Sequence, residues 1–201
     1  MKTSLPHRGP WLLTLVLALA LTAARAATPS FDCTQPPKSS IDEMICGDDG
    51  LAELDVKMAE VYAQAQKKAK GKANQLKAEQ SGWIKGRDDC GKADDRRQCA
   101  QDAYQRRIAE LQATYRLVPA NGPHTWFCNN DSKDEIVVTF FPTDPPTLIA
   151  TKKGRSSLMY LQPSGSGSKY VGPSESFWEH QNRALVSWGW NASDVICQKK
   201  P

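Results

Sequence analysis

Seven consecutive residues, Ser164-Gly165-Ser166-Gly167-Ser168-Lys169-Tyr170, bring hydroxyls, glycines and a cation together in one short stretch. That combination suits the filling of a narrow cleft in a partner. Gly165 and Gly167 carry no Cβ and keep the backbone slim. A serine hydroxyl both donates and accepts, so Ser166 can satisfy an acidic partner whether or not that partner is protonated. The plain alternative is a flexible hairpin loop. A hydrolytic triad of Ser166 and His180 with Glu179 or Asp194 fits poorly, because a Gly-Ser loop lacks the rigid elbow and oxyanion donors that a nucleophile needs. The chain is therefore expected not to be an enzyme.

The elements that must position this loop are strands. After Leu117, Pro119-Ala120-Asn121-Gly122-Pro123 reads as a turn-rich linker. Short runs rich in β-branched and aromatic residues follow. They predict strands at 126–129, 135–141, 147–152, 156–162, 169–171, 177–179, 183–190 and 195–199. Ile136, Val138 and Phe140 alternate with Val137, Thr139 and Phe141, and Ala184, Val186 and Trp188 repeat the period of two. Eight short strands at hairpin spacing predict a small closed antiparallel barrel.

Residues 39–116 have a different period. They contain no proline, are rich in Ala, Lys, Gln, Glu, Asp and Arg, and repeat apolar residues every three or four positions. Ser40-Ile41-Asp42-Glu43 reads as a capping box opening a short helix that ends near Gly47. Leu51, Leu54, Met58, Val61, Tyr62 and Ala65 form the stripe of a second helix, closed by Lys67, Lys68 and Lys70. A third holds Leu76, Gln80, Trp83, Ile84 and Arg87, and a fourth holds Cys99, Ala103, Tyr104, Ile108, Leu111 and Tyr115. Breaks at Gly71 and Gly91 imply antiparallel neighbours in a small bundle. The fold class is thus α+β in two domains, a disulfide-stapled helical bundle followed by the barrel.

Export is expected from the first residues. Lys2 and Arg8 precede an uncharged run from Gly9 to Ala24, and Ala24-Arg25-Ala26 presents small residues for cleavage. The run is short for a membrane span. The first cysteine is Cys33, in Phe31-Asp32-Cys33, which argues against a lipid anchor. Removing Lys2, Arg8 and Arg25 from a chain of net charge +4 leaves +1, so nucleic acid is a poor candidate partner. All six cysteines follow the export signal, which argues for disulfides. Their spacings fit no zinc pattern, and no metal site or cofactor is expected. Fifteen pairings are possible in principle, and the change of composition divides the cysteines into a set of four and a set of two. Cys33 with Cys46 is expected to tie the N-terminal segment to the first helix, Cys90 with Cys99 to clamp the turn between the third and fourth helices, and Cys128 with Cys197 to lock the barrel. Each such bridge contributes on the order of 2–4 kcal/mol.

Ser164, Ser166, Gly167, Lys169, Tyr170, Phe177, Trp178 and Cys197, in this order, resemble the signature of the periplasmic and membrane-bound inhibitors of c-type lysozyme (the MliC/PliC family). The resemblance covers about residues 124–199 and also implies an eight-stranded barrel. It implies that the loop plugs the lysozyme cleft. The second serine of the loop, here Ser166, and a lysine placed at the position of His180 would meet the two catalytic carboxylates. The sequence departs from the family at this second contact and again at Gln181-Asn182-Arg183. Lysozyme keeps one carboxyl protonated and one ionised in a sugar-shaped groove. Histidine offers a cation only in acid, its ordinary pKa being about 6.5, so binding is expected to weaken as pH rises from about 6 to 8.

The helical half resembles the LprI-type domain, also associated with lysozyme inhibition. The match rests on Cys33, Ile45, Cys46, Leu51, Leu54, Asp55, Tyr62, Gln80, Trp83, Arg87, Cys90, Cys99, Tyr104, Arg107 and Leu111. Most are packing residues, and Asp55 with Arg87 is expected to form a structural ion pair between helices. The chain is accordingly expected to comprise a signal peptide (1–26), a helical domain (27–117), a linker (118–123) and a barrel (124–201). It is expected to be periplasmic and to inhibit c-type lysozyme through Ser164, Gly165, Ser166, Gly167, Ser168, Lys169, Tyr170 and His180, with no small-molecule substrate. The rival expectation is a periplasmic module that binds peptidoglycan or another envelope protein without inhibiting lysozyme.

Overall fold

The computed structural model describes residues 27–35 and 37–200; the expected signal peptide lies outside them. Four helices come first: α1 (Ser40–Gly47), α2 (Asp49–Ala69), α3 (Ala73–Asp88) and α4 (Arg96–Thr114). Single 3₁₀ turns at Lys70–Lys72 and Asp89–Lys92 stand at the two glycine breaks. Capping explains where the helices start. Ser39 Oγ accepts from the Asp42 amide, Asp48 from Leu51, and Asp95 from Gln98. The first cap corrects the sequence expectation by one residue. Ser40 already has its place inside the helix, and Ser39, in extended conformation, supplies the oxygen.

Ile41, Ile45, Leu51, Met58, Val61, Leu76, Tyr104, Ile108 and Leu111 make the core of the bundle. Disulfides Cys33–Cys46 and Cys90–Cys99 staple it at either side of α1 and α4. So thin a core depends on such staples.

Eight antiparallel strands follow: β1 (Asn121–Cys128), β2 (Glu135–Phe141), β3 (Thr147–Lys152), β4 (Arg155–Gln162), β5 (Ser168–Val171), β6 (Glu175–His180), β7 (Arg183–Trp188) and β8 (Val195–Lys199). They close into a barrel in sequence order, with β1 against β8. Cys128 and Cys197 are cross-strand partners at this seam and are disulfide-bonded. Inside lie Trp126, Ile136, Val138, Leu148, Met159, Phe177 and Val186. β1 reaches back into the expected linker. Asn121 pairs with Phe140, and the register shifts before His124. A proline lacks the ladder donor and is tolerated at such an irregularity, which is where Pro123 sits.

The bundle leans on one side of the barrel. Tyr160 of β4 donates its hydroxyl to the main-chain oxygen of Arg106 at 3.2 Å, beneath the Arg106 guanidinium at 4.6 Å from the ring centre. Burial pushes the Tyr160 hydroxyl up to about 12. Arg116 lies over Phe141 on the same side.

Candidate functional site

The loop of residues 163–167 joins β4 to β5, at the end of the barrel that also carries the β6–β7 turn. Three contacts shape it. Ser164 Oγ donates to the Gly167 oxygen at 2.9 Å, closing the loop on itself. Trp178 Nε1 donates to the Ser166 oxygen at 2.8 Å. Gly167 has a positive φ of 65°, and a Cβ there would collide with the Glu179 carbonyl on the neighbouring strand. The two glycines therefore differ. Gly167 is required by the fold, whereas a Cβ on Gly165 would meet open space.

Strand alternation sorts the remaining expected residues. Ser164, Gly165, Ser166, Gly167 and His180 are exposed. The Ser166 hydroxyl has no hydrogen-bond partner among the described residues, so it is free to meet another molecule. Lys169 points outward, its Nζ 5.7 Å from the centre of the Trp178 ring. Tyr170 does not belong to an outer contact surface. It is 8% exposed and packs edge-on against Phe140 inside the barrel. Burial raises its hydroxyl pKa, with Glu179 adding to the effect. Ser168 likewise turns inward, lining a mouth of about 290 Å³ with Tyr170, Glu179, His124 and Lys199. The reason is parity: in β5 one outward residue, Lys169, separates two inward ones.

His180 ends β6, paired with Arg183 across the turn. Its Cβ lies 3.1 Å from where a Cβ on Gly167 would stand, so the fold brings His180 against the loop. The triad arrangement is not assembled. Glu179 faces the mouth, and Asp194 precedes β8 at the opposite end of the barrel. Trp178 is the residue whose role was missed as a loop support. The signal was available in β6, where burial of Phe177 forces its neighbour outward, toward the loop.

In the helical half, Asp55 and Arg87 do not pair directly, which corrects the expectation. Tyr104 of α4 stands between them, accepting from Arg87 Nη1 and donating to Asp55 Oδ1, both at 2.8 Å. Asp55 also accepts from the Ser30 amide, and Arg87 forms its ion pairs with Asp42 and Asp88. Burial raises the Tyr104 hydroxyl well above the ordinary tyrosine value; Arg87 opposes this and Asp55 reinforces it. Beside this network is a groove of about 630 Å³, walled by Phe31, Tyr62, Trp83 and Ile84 and edged by Asp32 and Glu43. Among the described residues no group of three metal-ligating side chains occurs.

Two families of inhibitor share out this architecture. Residues 126–194 match the family model of the membrane-bound lysozyme-inhibitor of c-type lysozyme (MliC), and residues 33–111 match that of lysozyme inhibitor LprI. Neither is a family of enzymes. Along almost its whole length the chain is similar to the protein named Lipoprotein LprI from Mycobacterium bovis and from Mycobacterium tuberculosis. The identity is 29% over 198 residues, covering 94% of this chain and 98% of each relative. The first family is named for a membrane-bound protein and these relatives are named lipoproteins. Among the described residues, no helix is long and apolar enough to cross a membrane.

Proposed function

We propose that this protein inhibits c-type lysozyme by inserting the tip of the β4–β5 loop, residues 164–167, into the active-site cleft, and so protects peptidoglycan. The observation that carries the reading is the state of Ser166. Its carbonyl is held by Trp178 and its hydroxyl is uncommitted and exposed. Both family matches support an inhibitor role. A loop held by its own hydrogen bonds loses less entropy on association. Within the cleft, the Ser166 hydroxyl accepts from the protonated carboxyl or donates to the ionised one. His180, beside Gly167, brings an imidazole to the same contact. Ser168 and Tyr170 support the loop from the barrel interior, and Lys169 flanks it.

The test is steady-state lysis of cell-wall suspensions at several concentrations of an N-acetylglucosamine oligomer. Competition between oligomer and protein is the expected pattern. Inhibition unaffected by the oligomer would place the contact outside the cleft.

For location we propose the periplasm without a lipid tether, in contrast to the relatives named as lipoproteins. All six cysteines are in disulfides, Cys33 with Cys46 among them, which leaves no thiol for a lipid. Fractionation of expressing cells should find the protein in the soluble periplasmic extract. The groove of the helical half favours a second reading, a module that binds peptidoglycan or another envelope protein. Retention on cell-wall sacculi without retention on immobilised lysozyme would support it.

A further inference from the structure

One row of directly opposed residues crosses four strands of the barrel. Lys169 faces Trp178, Trp178 faces Leu185, and Leu185 faces Ile196. Opposed residues in antiparallel pairs lie on the same face of the sheet and are close enough to touch. Their chain neighbours Tyr170, Phe177, Ala184, Val186 and Cys197 are buried, so the row faces outward. Leu185 is 38% and Ile196 45% exposed. Exposed apolar residues scattered singly are ordinary, but Leu185 and Ile196, adjacent and in line with Trp178, make a patch.

We propose that this row is a second contact surface for the lysozyme that receives the loop, docking against an apolar lip beside the partner's cleft. The inference rests on the inhibitory reading above and adds to it a surface that the loop alone does not supply. Continuity with the loop supports it. The same Trp178 side chain that holds the Ser166 oxygen begins the apolar row, so the row starts at the loop's own support. The surroundings fit too. The neighbouring row toward the loop end, His180, Arg183 and Gln198, is polar and partly basic. An apolar centre with a polar rim is how protein interfaces are built. The bundle does not cover the row, since α4 meets the barrel at Tyr160, on β4.

The experiment compares the full chain with a Leu185→Thr/Ile196→Thr double variant, threonine being well suited to an exposed strand. Binding to c-type lysozyme is followed by surface plasmon resonance, with melting temperature as the fold control. Dissociation should be about tenfold faster in the double variant, the size expected when central apolar contacts are lost. Trp190→Ser, at the opposite end of the barrel and 83% exposed, should bind like the parent. Hydroxyl-radical footprinting of the parent complex gives a second readout, in which Leu185 and Ile196 should become protected. Unchanged dissociation of a folded double variant, with no protection, overturns the row while leaving the loop reading intact. The same holds if the row proves to bury itself against a second copy, seen as a dimer that the double variant dissolves without loss of inhibition. If the parent itself does not bind lysozyme, the loop reading fails and the row fails with it.

Discussion

The Trp178 indole donates to the Ser166 carbonyl at 2.8 Å, tying a glycine-rich loop to the wall of a disulfide-closed barrel. The bond uses the backbone of Ser166 and leaves its hydroxyl for a partner. A loop that composition alone would describe as flexible is thereby held in one shape, and the inhibitory reading depends on this.

Trp178→Phe keeps an aromatic ring and removes the N–H. A net hydrogen bond is worth about 1 kcal/mol, so lysozyme inhibition should weaken roughly fivefold. The barrel's melting temperature should fall little, because the bond lies at the surface. Inhibition constants and thermal melts of the two proteins check this together.

Gly167→Ala and Gly165→Ala should separate cleanly. At Gly167 the left-handed backbone costs a side chain about 1–2 kcal/mol, and the Glu179 carbonyl blocks the added methyl besides. This variant should lose stability and inhibition together. Gly165→Ala should melt like the parent, and any loss of inhibition there reports crowding inside the cleft. Denaturant midpoints and inhibition constants of both variants supply the comparison.

The helical half should be sensitive to alkali. Burial raises the Tyr104 pKa in the folded state above the 10.0 of an ordinary tyrosine. The folded form therefore holds its proton where the unfolded form loses it. The resulting stability is complete below pH 10 and is lost as pH rises beyond it. Urea midpoints at pH 7, 9 and 11 should show the fall between the last two. Tyr104→Phe should be less stable at pH 7 by about 1–3 kcal/mol, since it leaves Asp55 and Arg87 without their bridge, and should show a shallower alkaline fall. Tyr160, pushed up to about 12, preserves part of that fall in the variant.

His180 ends β6 against the loop, its Cβ 3.1 Å from where a Cβ on Gly167 would stand. A folded His180→Ala variant should inhibit lysozyme several-fold more weakly, the size of one lost hydrogen bond of about 1 kcal/mol. An unchanged inhibition constant would remove His180 from the contact.

The bounds of β2, β3 and β8 were legible because alternation there is uninterrupted and the turns are marked. β1 was not, since Gly122 and Pro123 look like linker while Asn121 still pairs with Phe140. Ser39 and Ser40 are chemically the same, and only backbone conformation distinguishes the cap from the first helical residue. The bridge by Tyr104 was hidden because a tyrosine in an apolar stripe reads as packing, and nothing in sequence shows which helices flank it. At the candidate site, the exposed tip at Ser164 to Gly167 was readable by type and order, whereas the approach of His180 to Gly167 depends on strand pairing. The inward turn of Ser168 and Tyr170 follows from strand parity.

The most direct measurement is inhibition of c-type lysozyme by the full chain and by a folded Ser166→Ala variant. Loss of a hydrogen bond to a charged group is worth about 1.5–3 kcal/mol, so the variant should inhibit roughly 10- to 100-fold more weakly. A Ser166→Ala protein that suppresses cell-wall lysis as well as its parent would contradict the account.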